Sequence, residues 1–264
     1  NSIYKSNVFA SLTYADMPFV LAPNLWSKIS FNKGDLTFQE RFHGDGIKFS
    51  FKSPEAFEEV FWKTFDESDL ESIDKFKMYI NNVISKYKKK RYLSKNNQNI
   101  RRVDLISDRF PNAKILIPFR HPIQHAYSLL TQHKKFIQYS KEDPFFSEYM
   151  TLIGHTEFGP KYNQIFKKGL IFKNNFEINH WLEQWYLIYH SFLETLINKQ
   201  NVIFISYEKL CTSKDYWFKI LQLLDIKKRY EFNFKESRKR INLKIDNELN
   251  NNVLSIYSEL SQLI

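Results

Sequence analysis

The sequence has little of several residue types that mark particular kinds of protein. Its only cysteine is Cys211, which excludes an intrachain disulfide and a cluster of thiolate metal ligands. Six glycines and eight prolines are too few for a low-complexity chain. No apolar run approaches the roughly 20 residues that a membrane span needs, and no signal-peptide pattern opens the chain. We therefore expect a soluble, cytoplasmic protein.

Apolar and positively charged residues are abundant instead. Hydrophobic residues make up 43% of the 264 residues and aromatics 17%, enough for the core of one α/β domain over residues 1–264. The net charge is +10, from 39 basic and 29 acidic residues. Such an excess favours a polyanionic partner: nucleotide phosphates, an acidic polysaccharide, nucleic acid or an anionic membrane surface. A solvated basic surface without a partner is the competing interpretation.

The stretch from Arg109 to Leu130 predicts a strand, a helix and a candidate ligand site between them. Residues 113–119 are an apolar run of strand length, typical of a strand buried in a parallel sheet. Pro122 then suits the first position of a helix. Arg120 stands at the strand's carboxyl end and Ser128 lies in the helix, where ligands of α/β sheets bind and helix amino-termini attract anions. The spacing is equally compatible with Arg120 capping a carbonyl and Ser128 packing.

The rest of the chain alternates strands and helices, the pattern of a parallel sheet covered on both faces. Ser53 and Pro54 predict an N-cap and a first helical residue, and a capping box from Ser68 opens a long helix. We interpret the aromatic stripe of residues 181, 185 and 189 as core rather than a base-stacking platform. The predicted strands are residues 8–13, 92–94, 113–119 and 201–206; the predicted helices are residues 18–29, 54–65, 68–87, 100–110, 122–136, 176–198, 214–224 and 247–263; residues 137–175 are predicted irregular.

Three short motifs together resemble one enzyme family. Lys95 lies in Tyr-Leu-Ser-Lys-Asn-Asn, Phe-Pro-Asn-Ala-Lys precedes the central strand, and Arg120-His-Pro is followed by Ser128. This set resembles the sulfotransferases that use PAPS (3′-phosphoadenosine 5′-phosphosulfate). The resemblance implies a three-layer P-loop-like α/β fold with a central parallel sheet flanked by helices. It also implies PAPS as co-substrate, PAP as product and no metal. His121 departs from the family's usual Asp or Asn.

The resemblance also implies roles for particular residues. Arg120 and Ser128 would bind the 3′-phosphate of the cofactor, and Tyr207 would lie near the nucleotide. Lys95 would neutralise charge on the bridging oxygen beside the transferring sulfonate. Simpler structural interpretations remain open, with Tyr207 packing at a strand end and Lys95 solvated.

A base for the acceptor hydroxyl is the next requirement. Some relatives place a carboxylate just after the second strand, where this chain has Asp16, so Asp16 is our first candidate. His43 is the second, because the pKa of imidazole suits proton transfer near neutrality. Other relatives have a histidine where Asn97 stands, and Asn97 cannot act as a base. Asp16 could instead be only a helix cap.

One part of the family pattern is missing. No glycine lies in a phosphate-binding loop of the G-x-x-x-x-G-K-[ST] type, so we expect the first strand, that loop and part of the first helix to lie upstream. The run Arg238–Arg240 lacks a following glycine that relatives have, and we interpret it as a solvated basic turn. We expect Glu208 to cap or pair rather than to catalyse.

These inferences predict a sulfotransferase, in a truncated, weakly active or inactive form, that moves sulfonate from PAPS to a hydroxyl or amine. The acceptor could be a carbohydrate, a lipid-linked sugar or a small metabolite. The alternative is a non-enzymatic binder of polyanions or nucleic acid, although no nucleic-acid module is evident. A nucleotide kinase is a third possibility, and it would need the same loop and a magnesium site.

Overall fold

The computed structural model describes residues 2–29, 39–40, 48–65, 70–167, 169–236 and 238–263. These residues fall into two compact units, Asn1–Ile100 with Tyr139–Thr156, and Arg101–Gln138 with Glu157–Ile264. The single sulfotransferase-like domain expected over residues 1–264 stays a prediction. In chain order the elements are β1 (Phe9–Ala10), α1 (Pro23–Ile29), β2 (Gln39–Glu40), β3 (Lys48–Phe49), α2 (Glu59–Thr64), α3 (Leu70–Tyr87), β4 (Arg91–Tyr92), α4 (Val103–Arg109), β5 (Ile115–Phe119), α5 (Pro122–Glu142), α6 (Pro144–Leu152), α7 (Ile178–Leu196), β6 (Val202–Ser206), α8 (Tyr207–Thr212), α9 (Lys214–Leu223) and α10 (Asn247–Gln262).

The class of the fold is α/β, as the alternating pattern predicted. The described residues contain ten α-helices, two parallel pairs of strands, β1 with β4 and β5 with β6, and one antiparallel pair, β2 with β3. The pairs β1–β4 and β5–β6 belong to different units. The structure therefore confirms the α/β class. The three-layer arrangement around one central sheet stays a prediction.

The first unit has an aromatic core between α2 and α3. Phe61 and Trp62 on α2 lie with their ring centroids 5.1 and 4.4 Å from the ring of Phe76 on α3. All three side chains are buried, and each such burial contributes roughly 1.5–3 kcal/mol to folding. Ile73 and Val83 continue the buried face of α3, at the spacing that the sequence predicted.

Two helix starts in the first unit were predicted wrongly. The structure begins α2 at Glu59, five residues after the predicted start at Pro54. Pro54 instead forms a β-bridge with Thr13, and the Glu55 amide donates to the Leu12 carbonyl at 3.2 Å, so this backbone pairs with a strand-like segment rather than winding into a helix. Similarly, α1 begins at Pro23 rather than residue 18. Ser68, the predicted start of a capping box, lies outside the described residues.

The second unit contains the predicted central strand and helix. β5 runs parallel to β6 in a register that pairs Ile115 with Val202 and Phe119 with Ser206. Trp181, Trp185 and Tyr189 on α7 are all buried, which confirms that this stripe is core. The Tyr189 hydroxyl donates to the Pro118 carbonyl at 2.7 Å, so its polar atom is satisfied inside the unit.

The region beyond residue 136 is more regular than predicted. α5 continues to Glu142, and α6 follows over Pro144–Leu152. Asp143 is the N-cap of α6, since its Oδ1 accepts from the Phe145 amide at 3.0 Å, and Pro144 takes the first helical position. The Asp-Pro pair is a helix-start signal in the sequence. The many charged and aromatic residues around it favoured the prediction of an irregular region instead.

Candidate functional site

The candidate site lies where β5 and β6 end side by side. Because the two strands are parallel and Phe119 pairs with Ser206, the next residues, Arg120 and Tyr207, leave the same edge. The guanidinium carbon of Arg120 lies 4.9 Å from the centroid of the Tyr207 ring, within cation–π range. The Tyr207 hydroxyl donates to the Lys235 carbonyl at 2.6 Å, which fixes the ring beneath the guanidinium. The structure thus brings together two of the predicted cofactor-binding residues.

The amino-terminus of α5 opens at the same corner. Pro122 is its first residue, and the amide of the preceding residue, His121, donates to Oε1 of Glu208 at 2.9 Å. Glu208 on α8 therefore caps a neighbouring helix, as expected for this carboxylate. The first-turn amides of α5 have no helical carbonyl to bond, and they carry the positive end of the helix dipole. Such an end favours an anion.

A second basic segment is anchored at this helix end. Nε2 of Gln124 donates to the Lys239 carbonyl at 2.9 Å, and the Lys239 amide donates back to Oε1 of Gln124 at 2.9 Å. This two-bond contact fixes the backbone of the run Arg238–Arg240 beside the first turn of α5. The three basic side chains are exposed, as a solvated turn would have them. Their position at the corner, however, was not foreseen.

Burial, one carboxylate and two guanidinium groups act on the histidines at the corner. Burial lowers the pKa of His121, as do Arg238 and Arg120, whereas Glu208 acts in the opposite direction. Burial and the charge of Arg120 lower the pKa of His125 to about 4. Both imidazoles are thus neutral near pH 7. Nδ1 of each is buried and has no hydrogen-bond partner within the described residues.

Ser128 is placed on α5 and is exposed. It lies six residues beyond Pro122, roughly 9 Å along the helix axis. Its role as a phosphate ligand stays a prediction.

Asp16, the first candidate base, lies in the first unit and is fully buried. Its carboxylate accepts from the Thr13 amide at 2.7 Å and from the Tyr87 hydroxyl at 2.5 Å, and forms an ion pair with Lys86. Its bond to the Thr13 amide makes Asp16 part of the capping box of the 3-10 turn Tyr14–Asp16, whose N-cap is Thr13. To accept a proton from an acceptor, Asp16 would have to lose one of these partners. The structure therefore gives Asp16 a structural role, and its catalytic role stays a prediction.

Lys95 is exposed in the segment that follows β4. Two buried carboxylates hold this segment: Glu59 accepts from Nδ2 of Asn96 at 2.7 Å, and Glu58 accepts from Nδ2 of Asn99 at 3.2 Å. Since β1 and β4 are parallel, the segments that carry Asp16 and Lys95 leave the same edge of that sheet. His43, the second candidate base, lies outside the described residues.

The contact that sequence reasoning missed is the one between Gln124 and Lys239. It joins residues 115 positions apart. A signal existed, since Gln124 occupies the third helical position, where a Gln often bonds back to the N-cap amide. Here Glu208 accepts from the N-cap amide of His121 instead. The side-chain amide of Gln124 is therefore available to bond Lys239.

The described residues contain neither a candidate metal site nor a candidate membrane-spanning helix. No group of three or more His, Cys, Asp or Glu side chains in the described ranges could hold a metal ion. Among the helices that the structure describes, none combines the length and apolar character needed to cross a membrane.

The assignment of the candidate site rests on its geometry, because the comparisons with known proteins found no match. No protein-family model, no curated protein and no solved structure matches this chain.

Proposed function

We propose that this protein is a PAPS-dependent sulfotransferase with a three-layer P-loop-like fold, acting on a hydroxyl or amine of a carbohydrate or small metabolite. Two independent lines support the proposal. The motifs around Lys95, Arg120 and Ser128 resemble that family, and the β5–α5 corner has the chemistry of a phosphate site. PAPS supplies an activated sulfonate, whose transfer needs positioning and charge stabilisation rather than covalent help from the protein.

The observation that carries the proposal is the paired contact of Gln124 with Lys239. It adds the exposed run Arg238–Arg240 to a corner that already has Arg120 and a helix amino-terminus. A phosphate dianion matches this set, because guanidinium groups offer forked donors and the helix end offers amides. Two carboxylates near the corner are engaged: Glu208 accepts from the His121 amide, and Glu236 forms an ion pair with Arg238, with Oε1 and Nε 2.6 Å apart.

The family resemblance suggests the division of labour among these residues, and the contact of Arg120 with Tyr207 supports the first role. Arg120, held face-on by Tyr207, would direct the edge of its guanidinium toward the 3′-phosphate, and the Ser128 hydroxyl would donate to the same group. Lys95 would stabilise charge on the leaving bridging oxygen, since its ammonium is exposed. Asp16 or His43 would accept the proton of the acceptor, with Asp16 doing so only after release from Lys86.

The test is calorimetric titration of the protein with PAP. We expect Arg120→Ala to weaken PAP binding by about 10- to 100-fold, the value of one or two charge-assisted hydrogen bonds. Arg229→Ala is the matched control, because Arg229 lies over the Phe218 ring at 5.6 Å in a similar cation–π contact away from the corner. Absence of PAP binding, or equal affinity in wild type and Arg120→Ala, would contradict the proposal.

The second candidate is a non-enzymatic binder of polyanions or nucleic acid. The net charge of +10 and the exposed Arg238–Arg240 run favour it. A second basic run, residues 88–91, favours it less, because Nζ of Lys89 bonds Asn7 at 2.7–2.8 Å and Arg91 lies 4.5 Å over the Phe9 ring. Tight, salt-sensitive binding of DNA without binding of PAP would select this candidate.

A further inference from the structure

Residues 159–172, apart from residue 168, form a segment that we call the strap. It is held down by polar side chains buried in α7 of the same unit. Gln184 exchanges two hydrogen bonds with the backbone of Phe166, at 3.1 and 3.0 Å. Glu183 accepts from the amides of Ile171 and Phe172 at 2.9 and 2.8 Å. Secondary structure does not supply these bonds, so the side chains of the helix fix the path of the strap.

Two fully buried histidines complete this anchoring. Nδ1 of His133 on α5 accepts from the Gly159 amide at 3.2 Å. His180 on α7 makes two contacts, from Nδ1 to the Phe172 carbonyl at 2.8 Å and from Nε2 to the Tyr162 hydroxyl at 2.9 Å. A carbonyl can only accept, so Nδ1 of His180 carries the proton and its Nε2 accepts from Tyr162.

Each histidine therefore offers an unprotonated nitrogen to a donor on the strap. A backbone amide can only donate, which assigns Nδ1 of His133 as an acceptor in the same way. The rings pack closely, with centroids 5.3 Å apart for His133 and Tyr162 and 5.4 Å apart for His133 and Trp181. A proton added to Nδ1 of His133 would point at another donor, the Gly159 amide, inside an apolar cluster. A proton added to Nε2 of His180 would require the Tyr162 hydroxyl to turn and accept instead of donating.

We propose that the strap is an acid-released switch: protonation of His133 and His180 replaces two acceptors by donors and frees residues 159–172 from α5 and α7. Near neutral pH both acceptors are available and the strap is closed. On acidification the strap is released, and His133 and His180 take up protons once their rings are exposed to water.

The charges around the two rings set the direction of the switch. Burial lowers the pKa of His133 to about 4, with His180 and Lys134 acting in the same direction and Asn175 opposing them. Burial also lowers the pKa of His180, against the Phe172 carbonyl and Glu183. Burial raises the pKa of Tyr162, the hydroxyl partner of His180, and the charge of Arg101 acts in the opposite direction. A free imidazole titrates near 6.5, so the open state, with both histidines exposed, binds more protons than the closed state between about pH 6.5 and 4, and release is favoured as pH falls through that window.

The test is amide hydrogen exchange of the whole chain at pH 7 and pH 5, corrected for the intrinsic rate. His133 alone predicts a rise of about 20-fold in strap opening at pH 5, from the two pKa values. His133→Asn with His180→Gln should abolish this rise, since the amide oxygens accept in place of Nδ1 and Nε2 without titrating. His190→Asn, at a half-buried histidine of α7 that contacts Glu194 rather than the strap, should keep it.

Two results would overturn the proposal. One is strap exchange that is equal at both pH values in the wild type. The other is a wild-type rise that persists in the double variant. If the double variant fails to fold, histidine NMR titration of the wild type decides, because the proposal requires His133 and His180 to remain neutral at pH 6.

Discussion

The two basic runs of this chain are alike in sequence and different in use. In the first unit, residues 88–91 follow α3, and two of the four side chains are engaged by Asn7 and by the Phe9 ring. In the second unit, residues 238–240 are anchored through their backbone, while their side chains remain exposed beside Arg120 and His121. A backbone anchor orders a cationic segment without using its side chains, although Arg238 in this run also forms an ion pair with Glu236, with Nε and Oε1 2.6 Å apart. Because of this backbone anchor, we propose the second run rather than the first as part of a ligand site.

The largest expected effect concerns Lys86, just before the first run. Lys86→Met should destabilise the protein by about 3 kcal/mol, because it leaves the buried carboxylate of Asp16 without its counter-charge. Lys90→Met, at an exposed position four residues later, should change stability by less than about 0.5 kcal/mol. Urea unfolding monitored by circular dichroism measures both. Equal stabilities would show that the Asp16–Lys86 pair is not structural.

The next effect compares the two runs directly. Arg238→Ala with Arg240→Ala should weaken PAP binding by about 10- to 100-fold, since each exposed guanidinium beside the corner can donate to the phosphate. Lys88→Ala with Lys90→Ala removes the same number of charges and should leave PAP affinity within about two-fold, as only long-range attraction is lost. Calorimetry at one fixed salt concentration provides the comparison. Equal losses would mean that net charge alone attracts the nucleotide.

A smaller effect is expected from releasing the anchor. Gln124→Ala should weaken PAP binding by about 3- to 10-fold, because the run is no longer held at the helix end although all its charges remain. Gln222→Ala, at an exposed position of α9, is the control and should have no effect. An unchanged affinity for PAP in Gln124→Ala would show that the anchoring of the run Arg238–Arg240 does not contribute to PAP binding.

The smallest effect concerns the ring beneath Arg120. Tyr207→Leu should weaken PAP binding by about two- to five-fold, the value of a partly exposed cation–π contact. Tyr207→Phe keeps the ring, loses the hydroxyl's bonds to the Lys235 carbonyl and to Cys211, and should bind PAP as the wild type does. A loss in Tyr207→Phe equal to that in Tyr207→Leu would assign the effect to the hydroxyl.

Much of the corner could be predicted from the sequence because its signals are local. An apolar run ending at Phe119, then Arg120 and a proline at the first helical position, fix a strand, a corner and a helix within ten residues. The pairing with Tyr207 also follows, once β5 and β6 are taken as parallel neighbours.

The remaining features depend on contacts that no local pattern encodes. Glu208 reaches the His121 amide from 87 positions away, and Gln124 reaches Lys239 from 115. The same limit explains the wrong start of α2, where pairing with Thr13 overrode the helix signal of Pro54. It also explains Asp16, whose sequence context suited a base but whose partners Lys86 and Tyr87 lie 70 and 71 positions away.

The most direct measurement compares PAP with adenosine 5′-monophosphate, which lacks the 3′-phosphate, in wild type and in Arg120→Ala. If the corner binds the 3′-phosphate, the wild type should prefer PAP by about 100-fold, the value of two charge-assisted hydrogen bonds, and Arg120→Ala should lose most of that preference. Equal binding of the two nucleotides by the wild type, or a preference for PAP that survives in Arg120→Ala, would contradict the assignment of this corner.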